Sequence, residues 1–262
     1  ITRLFFLAVL ALFGRSDALA IEYGTMGGRP ANPDPKIENS DSWFIYDLEP
    51  GQVKDDTIEI MNLFDDQIEV LVYAADNMPS SGGGFALRQF SEPRKEVGSW
   101  IRFYTNDPPQ HFKGFFEGID RKISVLCALD KAGLEAGMKE KKILEEGGSI
   151  DDEKLNELKE WCKGEENFKK NLKSKEHVFV PFTFSVPKDA DVGEHAGGIL
   201  IQKVAADDIQ KDNGTAVKLT TRVGVRIYQT VTDKITKKLS IDPLKERKKL
   251  QECDLYRYII MK

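Results

Sequence analysis

The chain has 262 residues, 40% of them hydrophobic, enough to bury a real core in one large or two small domains. Its 38 Lys and Arg stand against 43 Asp and Glu, for a net charge of -5, and the bases are interleaved with acids, as in Glu140-Lys141-Lys142 and Lys159-Glu160. A phosphate backbone needs clustered cations, so this pattern argues against nucleic acid and for solvated charged faces.

The chain opens with Thr2-Arg3, an apolar stretch over residues 4–14 (LFFLAVLALFG) and then Ala18-Leu19-Ala20. A charged start, a short apolar run and a small-x-small site form the pattern of a secretory signal peptide, and the run is short for a bilayer span. Export is expected, with residues 1–20 removed and the mature chain starting near Ile21. Residues 21–41, with Gly24, Gly27, Gly28, Pro30, Pro33 and Pro35 and little apolar periodicity, read as an irregular lead-in.

Strands are expected from there on. Residues 42–48 (SWFIYDL) are apolar and aromatic and end at the turn signal Glu49-Pro50-Gly51. Ile58 and Ile60 alternate with Thr57 and Glu59, and after NLFDDQ the residues Ile68, Val70, Val72 and Ala74 share a face; these two runs read as a hairpin. Residues 80–84 (SSGGG) form a loop, residues 85–87 a short edge strand, and residues 100–104 (WIRFY) another strand.

The period of two returns at Val178, Val180, Phe182, Phe184 and Val186, which Pro187 stops; a polar corner follows to Gly193 and a second run starts at Ile199. Asn213-Gly214 then signals a hairpin. Beyond it Val217, Leu219, Thr221, Val223, Val225 and Ile227 face one way, and Lys218, Arg222 and Arg226 the other. Seven or eight strands suit a mainly β fold, an immunoglobulin-like antiparallel β-sandwich over residues 42–232.

Residues 106–174 break this pattern. Ser149 and Asp152 make an acidic variant of a capping box, Leu155, Leu158 and Cys162 follow at helical spacing, and Gly164 is placed to end the helix. Upstream, residues 123–146 are rich in Ala, Leu, Glu and Lys, so a helical hairpin inserted between two strands is expected. Three cysteines allow three single pairings; Cys127 with Cys162 would staple two helices with little core of their own and leave Cys253 free, and the alternative is three unpaired thiols. Residues 233–262 read as a tail or the first part of a truncated second domain.

Residues 42–51 (SWFIYDLEPG), 84–87 (GFAL), 97–101 (VGSWI) and 186–199 (VPKDADVGEHAGGI) resemble the N-terminal domain of WxL-interacting proteins. The resemblance covers roughly residues 37–105 and 176–232. It implies an immunoglobulin-like, peptidoglycan-binding sandwich on a bacterial cell surface, with a WxL-type surface protein as a further partner. Two features depart from that pattern. A helical insertion is expected where the family has a short turn, and the family's second domain, with the C-terminal segment that attaches it to the membrane, is not expected within these residues.

Chemistry beyond binding has no motif. There is no GxSxG, Walker loop or GxGxxG, and Gly82 to Gly84 do not open a helix after a strand. Asp55/Asp56, Asp65/Asp66 and Asp207/Asp208 read as solvated turn residues, as do Asp189, Asp191 and Glu194, whose alternative is a calcium site. No metal or cofactor is expected. Trp43, Tyr46 and Trp100 are the candidate sugar contacts, because aromatic faces stack on apolar sugar faces. Alternation places Trp43 with Ile45 and Phe44 with Tyr46, so at most one pair is buried in a single core. His195 sits where many sandwiches place a corner tyrosine, with either a backbone hydrogen bond or a ligand contact as its role. The expected activity is non-enzymatic binding of peptidoglycan or a surface protein; the alternative is an assembly module that takes polypeptide along a strand edge.

Overall fold

The computed structural model describes residues 26–79, 84–204, 207–210 and 216–232. The expected signal peptide, residues 233–262 and Cys253 lie outside them. Among the described residues no helix is long and apolar enough to cross a membrane.

Twelve strands are described: β1 (Met26–Pro30), β2 (Phe44–Leu48), β3 (Val53–Asn62), β4 (Ile68–Pro79), β5 (Phe85–Leu87), β6 (Ile101–Phe103), β7 (Asn167–Leu172), β8 (His177–Ser185), β9 (Gly193–Lys203), β10 (Asp207–Gln210), β11 (Ala216–Leu219) and β12 (Arg222–Val231). One sheet has the order β1-β3-β8-β6; the other has β2-β12-β9-β4-β5, with β7 also on β4. Pairing is antiparallel except for β2 on β12, which is parallel. The inner faces meet over Phe44, Ile58, Ile60, Val70, Val72, Phe103, Phe182, Phe184, Ile199, Ile201, Val225 and Ile227, and the result is an immunoglobulin-like β-sandwich. Period-two alternation does this sorting. In β8 Val180, Phe182 and Phe184 are buried, whereas Phe179, just before them and of opposite parity, is 58% exposed.

Several local expectations are corrected. The lead-in is not wholly irregular, because β1 pairs antiparallel with β3. Its glycines sit close to other side chains: a Cβ on Gly28 would lie 2.5 Å from Ile201 Cδ1, so the strand lacks apolar alternation because it packs through its backbone. β3 and β4 are not a hairpin; they lie in different sheets. Alternation fixes which face is buried and leaves the pairing partner open. The crossing is held by buried Asn62, whose Nδ2 donates to the carbonyls of Asp66 at 2.8 Å and Lys173 at 2.8 Å, while its Oδ1 accepts from Phe64 N.

Asp55/Asp56 and Asp207/Asp208 lie in β3 and β10 rather than in turns. β9 begins at Gly193, so His195 is within the strand instead of ahead of it. The run over residues 217–228 is divided between β11 and β12. Asn213-Gly214 lies outside the described residues, and the strands on either side of it, β10 and β11, pair antiparallel.

The insertion holds four helices rather than two: α1 (Gln110–Gly118), α2 (Ile123–Ala128), α3 (Lys131–Glu140) and α4 (Asp152–Cys162). Asp151, not Ser149, caps α4 by accepting from Lys154 N at 2.8 Å, and Gly164 ends it with φ +61°. The helices have a core of their own, with Phe112, Phe115, Leu126, Leu134, Met138, Ile150 and Leu158 buried together. The insertion also ends earlier than residue 174, because residues 167–172 form β7 along β4. Lys169, Lys170 and Asn171 are exposed on this edge strand and hide its period. Cys127 and Cys162 are disulfide-bonded, with Cα atoms 5.6 Å apart, and join α2 to α4.

The insertion is docked on the sandwich at both ends. Phe103 and Glu165 exchange two backbone hydrogen bonds of 2.8 Å, which bring its first and last residues together. Asp55 on β3 accepts from both the backbone N–H and the hydroxyl of Ser124, capping α2 from the sheet.

Candidate functional site

The four aromatic and imidazole candidates separate into three environments. Tyr46 is core, 7% exposed, and its hydroxyl donates to Asp56 Oδ2 at 2.9 Å. Burial pushes the phenol well above its ordinary range, with the Asp56 charge adding to the effect, and burial also raises the Asp56 carboxyl. Trp100 is 6% exposed and edges onto Phe184 with ring centroids 5.7 Å apart.

His195 packs on Trp100 at 5.0 Å. Its Nε2–H donates to the Asp191 carbonyl at 2.7 Å, and its Nδ1 meets Glu96 Oε2 at 2.9 Å. The corner residue thus makes the backbone hydrogen bond of a corner tyrosine and also ties β9 to the turn before β6. That turn is pinned by buried Asp76, which accepts from the backbone N–H groups of Lys95 at 2.6 Å and Gly98 at 2.7 Å. Gly197 and Gly198 serve close packing: a Cβ on Gly197 would lie 2.6 Å from Val97, and one on Gly198 would lie 2.8 Å from Leu87.

Trp43 is the candidate that stands outside the core. It is half-buried on the outer face of the six-stranded sheet, beside the parallel β2/β12 pair. The face that buries Val225 and Ile227 sends Arg226 and Tyr228 outward, and the parity that buries Phe44 and Tyr46 sends Trp43 and Ile45 outward. Register sets Tyr228 between Ile45 on β2 and Ala196 on β9. Trp43 meets Tyr228 edge to face at 5.6 Å, and Phe85 of β5 lies 5.9 Å from Tyr228. The Arg226 guanidinium stacks 5.3 Å from the Trp43 ring centroid and 4.8 Å from that of Phe85. Three rings and one cation therefore make a half-buried platform. Arg226 already falls on the outer face by alternation; Tyr228 shares its parity and was legible the same way, whereas the approach of Phe85 from β5 is a tertiary contact with no local signal.

A cleft of about 880 Å³ lies between the four-stranded sheet and the insertion, lined by Asp55, Asp56, Phe116, Arg121, Phe179 and Pro181 among others. Its neighbouring carboxylates do not form an acid/base pair. Successive strand residues point to opposite faces, so Asp55 is bound to Ser124 while Asp56 is turned inward to Tyr46. Among the described residues no group of three or more His, Cys, Asp or Glu is arranged to hold a metal ion.

Neither a family model nor a curated protein matches the chain. Among solved structures it is similar to the ASH/PapD-like domain 7 of human CEP192, at 8% identity over 80% of this chain and 87% of that one, with a TM-score of 0.32. It is also similar to a family 123 glycoside hydrolase from Clostridium perfringens, at 9% identity over 79% of this chain and 27% of that one, with a TM-score of 0.34. Neither likeness is close enough to carry an argument about function.

Proposed function

We propose that this chain is an exported, non-enzymatic binding module that holds bacterial wall glycan, peptidoglycan in particular, on the outer face of its six-stranded sheet. The observation that carries the reading is the platform of Trp43, Phe85 and Tyr228, held half-open by strand parity while Tyr46 and Trp100 are spent on the core. Aromatic faces bind the apolar faces of sugar rings, and rings fixed on strands lose little freedom when a ligand arrives. The resemblance of residues 42–51 and 186–199 to WxL-interacting proteins supports the same ligand class.

The test is co-sedimentation of the purified chain with intact peptidoglycan. Wild type is expected in the pellet, with Trp43→Ala and Tyr228→Ala shifted to the supernatant while their melting temperatures fall by only about 2–4 °C. A folded wild-type chain that stays in the supernatant overturns the reading, and strand-edge binding of polypeptide then becomes the reading to test.

A further inference from the structure

We propose that the platform selects carboxylate-bearing sugars over neutral ones, with Arg226 as the residue that reads the carboxylate. This deepens the glycan reading above and rests on it. Arg226 is half-buried, yet among the described residues its guanidinium has no carboxylate partner; its polar contact is a long one, 3.5 Å to the Tyr228 hydroxyl, and its other neighbours are the rings of Trp43 and Phe85. The residue paired with it on β9 is Gly198, and the space above that glycine is taken by Leu87, an aliphatic group.

A guanidinium over ring faces still carries five N–H donors in a planar fork. Ring quadrupoles offset part of the cost of partial burial, but they do not use those donors. A carboxylate on a sugar does use them, because its two oxygens match the guanidinium fork. A sugar acid lying across Trp43 and Tyr228 would meet both demands together, the ring faces through its C–H face and Arg226 through its carboxylate. A neutral sugar meets only the first.

The probe is an oligosaccharide of alternating glucuronic acid and N-acetylglucosamine, compared by calorimetric titration with the same oligosaccharide after methyl esterification of its carboxylates. The free acid is expected to bind roughly 10-fold more tightly than the ester, the scale of one charge-assisted bidentate contact. The difference should shrink with added salt. Arg226→Gln should bring the two affinities together, and Arg226→Lys should recover only part of the gap. Equal binding of acid and ester by wild type overturns the inference, whatever the variants do, and leaves the platform reading intact. Binding of neither probe also overturns it, and peptidoglycan sedimentation then decides separately whether the platform reading stands.

Discussion

Trp43 and Trp100 are one residue type in two environments, and truncating each should separate binding from stability. Trp100 is 6% exposed, packed edge-on against Phe184 and against His195, which itself anchors the Asp191 carbonyl and Glu96. Trp100→Ala removes a buried ring from a junction of both sheets, and such truncations cost about 3–5 kcal/mol. For a domain of this size each kcal/mol moves the midpoint by about 2–4 °C, so the melt should fall by roughly 6–20 °C. Trp43 is half-buried, and its partners Tyr228 and Arg226 can turn to water when it is gone. Trp43→Ala should therefore cost about 1 kcal/mol, the size of an aromatic pair contact, and act mainly on glycan binding. Thermal and urea melts followed by circular dichroism measure the first effect, and peptidoglycan sedimentation measures the second. A Trp100→Ala protein melting within about 2 °C of wild type would refute the burial argument.

The disulfide closes a loop with a sequence separation of 35, for which loop entropy gives about 4 kcal/mol. Because α2 and α4 belong to the separate helical core, Cys127→Ala/Cys162→Ala should lower hydrogen-exchange protection in the helices first, with the β strands keeping theirs; simultaneous loss in both would mean one cooperative unit. The hydrogen bond to Arg29 holds the buried Glu59 carboxyl below its ordinary range, against an opposing effect of burial and with His177 assisting. A depressed carboxyl contributes stability above its unfolded value of about 4.3 that is lost as pH falls through the folded one. Glu59→Gln should therefore be less stable at pH 7 and show a shallower acid limb, and an unchanged acid limb would remove Glu59 from the account. Excision of residues 105–164 behind a short Gly/Ser linker should leave cooperative β unfolding, since Phe103 and Glu165 are already hydrogen-bonded to each other. Extending the cut to residue 174 also removes β7 and should abolish that cooperativity; equal behaviour of the two deletions would contradict the pairing of β7 with β4.

How far the fold was legible follows from what alternation encodes. Period two identifies the core-facing side of β8 and β12, with buried Thr183 on the other parity as the exception, because facing a core is a property of one strand against one core. Pairing is a property of two strands, and nothing in residues 57–74 distinguishes a hairpin from a crossing between sheets. The residue that makes the crossing, Asn62, is polar and wholly buried, and its reason lies in the Lys173 carbonyl more than 100 positions away. β1 was hidden for the opposite reason: its glycines leave no apolar period, and their value lies in the contact distance to Ile201. The helical hairpin became four helices because short helices with a shared core need only one or two buried positions each, too few for a period to show.

The platform was half legible for a related reason. Trp43 attracts notice as a residue type, but type alone also nominated Tyr46 and Trp100, which the core uses. Parity separates them: Trp43 is one residue before Phe44, and Phe44 and Tyr46 carry the buried face. Applying the same parity to β12 sets Arg226 and Tyr228 outward from Val225 and Ile227, and the parallel register of β2 on β12 brings the two outward sets side by side. An outward Arg on an ordinary antiparallel face would be expected to pair with an acid across the strand. Here its neighbour on β9 is a glycine and its ring contacts come from Trp43 and Phe85, so among the described residues the cation meets rings in place of an acid. The proposed carboxylate contact rests on that placement, which is set by the register rather than by the arginine itself.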